Sequence, residues 1–437
     1  MAFRFKGGIH PAYNKEKTSA RSIEELPAPA IAVIPLLQHI GATCTPLVSV
    51  GDRVFLGQPI GNSLDPLSSP VHASVSGKVI AIEPHWHPSG VKVKAVVIEN
   101  DGQDRLDPSC GPYKGEIEDL TSEEIIDYAY KAGIVGMGGA AFPLHIKLKT
   151  AIENRVETLI INGAECEPYL TADHRGMLEY PRAITGGIQL IMHCLNKKSA
   201  ILAIEEDKAD AIATMEATCE GTGISVEVVP AKYPQGGEKQ LIKALTGREI
   251  PPAKLPIDIG CAVFNVDTCA SLFRAVFKGL PLTKRVVTVS GPSVLTPKNL
   301  LTRIGTPYTD VFEFCGGFRD NPYKIIHGGP MMGSAQHTLD CPVIKSTSAL
   351  LAFSGSDDES FSPDPTCIRC GRCISVCPMR LMPSLIYKHA MAGEFSECKK
   401  LNVTDCIECG CCSYACPGKV YLVQAMRMAK ANVPAEN

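Results

Sequence analysis

Nowhere in this 437-residue chain does an apolar run approach the roughly 18 residues that a membrane-crossing helix needs, so it is expected not to span a bilayer by itself. Peripheral attachment stays open. There is no basic excess either: a net charge of −3 lacks the electrostatic footprint of a nucleic-acid binder, and no nucleic acid is expected as a partner. No signal-peptide pattern opens the sequence, and no serine or cysteine nucleophile constellation appears in it. Histidine is missing from both of the densest cysteine stretches, which argues against Cys/His zinc sites. The 19 cysteines would suggest disulfides in a small secreted protein, but eight fall into two motifs and the other eleven are scattered singly. That distribution points to a reducing compartment, the cytoplasm.

The two motifs are one pattern written twice. Cys367-Ile-Arg-Cys370-Gly-Arg-Cys373-Ile-Ser-Val-Cys377-Pro378 recurs 39 residues later as Cys406-Ile-Glu-Cys409-Gly-Cys411-Cys412-Ser-Tyr-Ala-Cys416-Pro417. Three thiolates at this spacing on a curled loop point at adjacent iron corners of a cubane, and the fourth, carried onward, ligates the other cluster. Two [4Fe–4S] clusters are therefore expected. Cys367, Cys370, Cys373 and Cys416 would hold the first, and Cys406, Cys409, Cys412 and Cys377 the second. Cys411 and Cys398 are left as bystanders.

An apolar content of 45% provides for an ample core, and the length allows several domains. Phe3–Pro11 reads as a short strand and turn, followed by a polar arm. Residues 30–98 read as all-β, with short Val- and Ile-rich runs between Gly, Pro, Asn and Asp turns. Within them, Val50–Ile60 and Ser69–Val79 resemble the two halves of a biotinyl/lipoyl-type barrel-sandwich. Residues 54–77 contain no lysine, so no prosthetic arm has an attachment point and a structural or docking module is expected. His85 and His87, flanking Trp86, read as a surface loop rather than a metal site.

After a Gly-, Asp- and Pro-rich linker the grammar changes. Thr121 and Glu124 form a capping box, with Gly133 as the helix stop. Strands at Val156–Ile161 and Ala200–Ile204 alternate with helical stretches near 181–195 and 208–219, which argues for βαβ units and a parallel sheet. The stretch Gly133–Lys147 is dense in glycine and leads toward a helix. Such loops let backbone N–H groups approach phosphate closely. It is not a Rossmann fingerprint, since it precedes the first clear strand, and it lacks the Walker lysine–hydroxyl pair. One-electron clusters need a source, and a flavin is the adaptor between hydride and single electrons.

Gly136-x-Gly138-Gly139-x-x-Phe142-Pro143 with Lys147 is similar to the nucleotide loop of the flavin-binding component of complex I. Asn162–Pro168, Gly236–Lys239 and Asn265–Thr268 resemble that fold's other flavin and nicotinamide segments. With Phe3–Pro11 in front and the cysteine repeat behind, the whole chain resembles the RnfC family, a component of the Rnf ion-translocating electron transport complex.

The resemblance implies a multidomain α+β protein with four parts. These are an N-terminal barrel-sandwich hybrid with its arm (1–104), an α/β FMN/NAD domain (118–280), a soluble-ligand-binding β-grasp domain (281–345) and a C-terminal helical ferredoxin-like module (363–430). It also implies that Gly136, Gly138, Gly139 and Lys147 serve phosphates and that Asn162, Asn265 and Thr268 hold FMN. Phe142 would stack on a ring, and Glu165 and Glu238 would face the nicotinamide as catalytic residues. Complex I has glycine where this chain has Ala141 and arginine where it has Met137, departures that would shrink a backbone contact and remove a charge from the phosphates. The implied cofactors are two [4Fe–4S] clusters, FMN and NAD(H). The implied partners are integral membrane subunits and a ferredoxin-like protein, at the cytoplasmic face of the bacterial cell membrane. A microcompartment cobalamin reductase and a cluster-bearing wire or scaffold without nucleotide chemistry are the alternatives.

Overall fold

The computed structural model describes residues 5–355 and 364–433. Phe3, at the start of the expected opening strand, and most of the acidic stretch after Ser354 lie outside them. Of that opening strand, the described part makes a single bridge, Ile9 to Tyr233.

Two small sheets form the barrel-sandwich. One runs in the order Ile31–Pro35, Lys92–Asn100, Gly77–Trp86, Arg53–Val54, and the other Thr45–Pro46, Pro59–Asn62, Val71–His72. Period-two alternation drives the fold: Ala32, Ile34 and Leu36 point into one core with Ile60, Val79, Val96 and Ile98, while Ile31 stays exposed. The surface loop expected around Trp86 is instead a strand end. His85 and Trp86 close a ten-residue strand, Trp86 meets the His337 ring edge-on at 4.4 Å, and His87 is buried against the Leu37 carbonyl (3.1 Å).

The central domain is a four-stranded parallel sheet in the order Ile224–Val229, Ala200–Glu205, Thr158–Gly163, Cys261–Asn265. The capping box forms as expected, with Thr121 Oγ1 accepting from Glu124 N–H (3.2 Å) and the Glu124 carboxylate from Thr121 N–H (2.8 Å). Helices Pro181–Cys194 and Val266–Lys278 bury Ile188, Ile191, Leu272 and Val276 in a core shared with the sheet residues Leu159, Ile161, Leu202 and Ile204. The chain adds strands outward from Thr158–Gly163 on one side, then crosses back to place Cys261–Asn265 on the other. The order therefore reverses between Thr158–Gly163 and Cys261–Asn265, and such switch points open a crevice at the carboxyl ends of the strands.

A six-stranded mixed sheet follows: Ile23–Glu25, Lys298–Arg303, Lys284–Ser290, Ala349–Phe353, Lys324–His327, Ser334–Gln336. Its core of Val287, Val289, Leu300 and Leu350 is covered by Tyr308, Val311 and Phe312 of helix Tyr308–Phe314. The sheet runs past the expected edge at 345 through Ala349–Phe353, and it recruits a strand of the N-terminal arm.

In the cysteine module the repeat is structural as well as chemical. Short helices Arg372–Ser375 and Cys411–Tyr414 and longer helices Pro383–Met391 and Leu422–Asn432 correspond at the same offset. So do the left-handed residues Arg369 and Glu408, Gly371 and Gly410, and Arg380 and Lys419.

Candidate nucleotide crevice and cysteine cavities

Asn162, one residue before the end of its strand, and Asn265, the last residue of its own, stand on the two strands that flank the switch point and are directly paired in register. Both amides are built into the walls. Asn162 Nδ2 donates to the Gly236 carbonyl (2.9 Å), and its Oδ1 accepts from Ala164 N–H (3.1 Å). Asn265 caps helix Val266–Lys278, accepting from Asp267 and Thr268 N–H groups, and donates to Asp173 (2.7 Å). Each NH₂ keeps a second donor for a ligand.

The glycine loop closes over this crevice. Gly136 N–H donates to the Phe142 carbonyl (2.8 Å) and Ala141 N–H to that of Gly136 (3.1 Å), which makes a tight hairpin. Gly138 packs on Asn265, where an added Cβ would meet the Asn265 side chain at 3.5 Å. Gly139, at φ +112°, faces open space, with no atom within 4 Å of an added Cβ. The loop thus leaves room for a ligand to approach its backbone. Phe142 is half-buried beside it. Lys147 lies one turn into helix Leu144–Glu153, 3.3 Å from Glu238 and with its ammonium 5.3 Å from the Phe264 ring centroid.

The structure redirects several expected roles. Thr268 is buried, and its hydroxyl accepts from Met137 N–H (2.9 Å), tying the glycine loop to helix Val266–Lys278. Met137 itself packs with Val135, Leu282 and Ile304, so a side chain here points into the core rather than at a phosphate. Ala141 adopts φ +50°, the left-handed conformation that its glycine counterpart would take freely. Glu165 is buried, and its carboxylate accepts from Asp173 (3.0 Å) and His174 (3.2 Å) N–H groups at the start of helix Ala172–Glu179. Its carboxylate serves that helix end instead of facing open space. Glu238 remains solvent-accessible beside Lys147.

Sequence reasoning missed Arg285, which is buried and donates to the carbonyls of Lys345 and Met137 (2.7 Å to the latter), reaching the loop from the β-grasp sheet. It missed Asp173 too, whose carboxyl is raised by burial and by the nearby Glu165 and Asp267 carboxylates. The crevice therefore has an acidic wall at the strand ends and a basic side at Lys147.

Each set of four cysteines surrounds a cavity, with about 360 Å³ of empty space in each, solvent at the mouth included. Cys406, Cys409 and Cys412 line one together with Cys377 of the other motif, and Cys367, Cys370 and Cys373 line the second together with Cys416. No three His, Cys, Asp or Glu side chains among the described residues converge as a single metal ion would require. The thiols enclose a volume, which suits a cubane. Backbone N–H groups of Leu381, Glu408 and Val420 donate to the sulfurs of Cys377, Cys406 and Cys416 at 3.4–3.5 Å. Cys411 also lines the first cavity, while Cys398 is buried elsewhere, donating to the Ile386 carbonyl.

The cavities differ in setting. Cys409 packs with Ile9, Cys166 and Tyr233, against the loops of the nucleotide crevice. Cys367 and Cys370 are exposed, next to exposed Ile368 and Arg369.

Four family models match the chain in order: the RnfC Barrel sandwich hybrid domain (residues 3–103), the Nuo51 FMN-binding domain (129–274), the SLBB domain (286–335) and the 4Fe-4S dicluster domain (361–417). The C-type component of the Na(+)-translocating ferredoxin:NAD(+) oxidoreductase complex of Acetobacterium woodii is 45% identical, covering 99% of this chain and 97% of its own. Its counterpart in the proton-translocating complex of Clostridium ljungdahlii is 46% identical, with 99% and 94% covered. The counterpart in the ion-translocating oxidoreductase complex of Rhodobacter capsulatus is 41% identical, with 99% and 84% covered. Among solved structures, a chain of an NAD+-reducing [NiFe]-hydrogenase superposes with a TM-score of 0.52 over 74% of this chain and 64% of that one. At 17% identity this likeness concerns the fold alone.

Proposed function

Since this chain belongs to the RnfC family of ion-translocating ferredoxin:NAD(+) oxidoreductase complexes, we propose that its switch-point crevice exchanges hydride with NAD(H) at FMN and that its two cysteine cavities carry the electrons onward. It is a redox subunit of that multi-subunit complex and carries an FMN-binding domain and a 4Fe-4S dicluster domain. The near-full-length match and the barrel-sandwich at the front favour this reading over the cobalamin reductase, and the FMN-binding domain weighs against a wire without nucleotide chemistry.

Bound FMN supplies the conversion between electron pairs and single electrons. The chain's own residues supply placement. In this reading the open backbone at Gly136, Gly138 and Gly139 and the Lys147 ammonium receive phosphates, and Phe142 flanks a ring. Asn162 and Asn265 offer their remaining N–H groups, and Thr268 holds the loop in place. Glu238 faces the nicotinamide, while Glu165 acts through the helix it caps, as a positioning residue. Cys377, Cys406, Cys409 and Cys412 hold the cluster nearer the crevice, and Cys367, Cys370, Cys373 and Cys416 the one nearer solvent. The exposed Cys367–Cys370 face then meets a ferredoxin-like partner. No helix among the described residues is long and apolar enough to cross a membrane. We place the chain on the cytoplasmic face, held there by integral membrane subunits that move the ion.

The observation that carries this reading is the contact of one cysteine cavity with the strand-end loops of the crevice. The test is an anaerobic titration of reconstituted protein. About two NADH per chain should reduce one flavin and both clusters, and uptake of iron without any flavin would refute the reading.

A further inference from the structure

The first described residues form an arm that joins no sheet until Ile23. Phe5 is buried, with the Lys232 ammonium 4.5 Å from its ring centroid. Gly7 and Gly8 follow at φ +73° and +78°, a backbone that side chains rarely adopt. A Cβ on Gly7 would stand 2.5 Å from the Cys377 carbonyl oxygen, and one on Gly8 2.6 Å from that of Tyr233. Both obstacles are backbone and cannot swing aside. Gly8 N–H donates to the Val376 carbonyl (2.8 Å), while Ile9 and Tyr233 exchange two backbone bonds of 2.9 and 3.0 Å. Tyr233 is fully buried, and its hydroxyl donates to the Cys409 carbonyl (2.7 Å).

Arm and tyrosine thus grip the backbone of Cys377 and Cys409, which come from different motifs yet line one cavity. On the other side, Tyr233 stands three residues before Gly236, whose carbonyl receives the Asn162 N–H of the crevice. Lys232 and Glu167 flank the joint, and it supplies no cluster ligand of its own. What it offers is a fixed spacer with backbone on both faces.

We propose that Gly7, Gly8 and Tyr233 are positioning residues whose joint sets the separation between the nucleotide crevice and the Cys377–Cys406–Cys409–Cys412 cavity, and so the rate at which single electrons pass between them. This rests on the functional reading given above. The test uses full-length reconstituted Gly7→Ala, Gly8→Ala and Tyr233→Phe proteins mixed anaerobically with NADH, with flavin and cluster absorbance followed separately. Flavin bleaching should keep its wild-type rate and iron content should stay constant. Cluster bleaching should slow several-fold in Gly7→Ala, because single-electron transfer weakens steeply as the cavity moves away from the crevice. The effect should be smaller in Tyr233→Phe, which keeps the backbone contacts and loses only the hydroxyl's bonds to the Cys409 carbonyl (2.7 Å) and the Glu167 carboxylate (3.5 Å).

In the reconstituted protein the same variants should speed amide hydrogen exchange at residues 376, 377 and 379 and at residues 232, 233 and 235. Wild-type cluster bleaching in Gly7→Ala, or loss of iron from the folded variant, would overturn the proposal, and Tyr233→Phe decides it if Gly7→Ala fails to fold. Should NADH leave the wild-type flavin oxidised, the functional reading fails by itself. Hydrogen exchange then still judges the joint, and exchange unchanged by the substitutions would refute it.

Discussion

Thr268→Val tests the crevice through a single hydrogen bond. Thr268 and Met137 are each about 1% exposed, and the Met137 N–H has the Thr268 hydroxyl as its partner at 2.9 Å. Valine keeps the shape and removes the acceptor, so a buried donor is left unpaired in the closed loop, at a cost of about 1–3 kcal/mol. If the loop opens to let that N–H reach water, FMN must first close it again. Affinity should then fall by about 5- to 150-fold, at about 1.4 kcal/mol per tenfold. Quenching of FMN fluorescence on titration with flavin-free protein measures this directly, and Thr268→Ser should restore most of the loss. An unchanged affinity in folded Thr268→Val, or an equal loss in Thr268→Ser, would refute the idea that the glycine loop is the flavin cradle and that this bond holds it.

Three further outcomes follow from the geometry. Cys377→Ser and Cys406→Ser should each remove about four irons and abolish the same electron paramagnetic resonance signal, while Cys416→Ser and Cys367→Ser abolish the other; signals grouped by motif instead would contradict the crossed assignment. Lys147→Ala should weaken nucleotide binding by about tenfold and flatten its salt dependence, read by calorimetry at two ionic strengths, if the ammonium meets phosphate. Burial raises the Glu167 carboxyl to about 7, although it accepts from Met331 and Met332 N–H groups. Because its folded value lies above the ordinary one, its contribution is full below about pH 4.5 and is lost as pH rises through 7, by up to about 3 kcal/mol. Melting curves from pH 5 to 8 should therefore fall more steeply for wild type than for Glu167→Gln, and parallel curves would refute this.

Much of this was legible in the chain because it is local. The 39-residue repeat carries its own geometry, since each motif folds on its own turns and the left-handed residues recur with the cysteines. The strand-end loops were legible because apolar runs bounded by Asn and Gly mark where a parallel sheet stops. What escaped depends on partners far off in sequence. Arg285 reaches the Met137 carbonyl across 148 positions, and nothing beside either residue announces the other. Ile23–Glu25 joins the β-grasp sheet because Lys298–Arg303 presents a free edge, which is a property of the assembled sheet and not of three residues. Glu165 looked like a site carboxylate from its motif, yet the helix beginning at Ala172 turns its N–H groups toward it. Met137 looked like a lost charge, and the core beside it explains why a thioether fits there.

In this reading electrons enter at the strand-end crevice and reach the cysteine cavities through it. Rapid mixing of NADH with protein carrying both clusters, with and without bound FMN, tests this most directly. Flavin absorbance should fall first, cluster absorbance should follow, and flavin-free protein should show no cluster reduction. Clusters that bleach at the same rate whether or not FMN is present would contradict it.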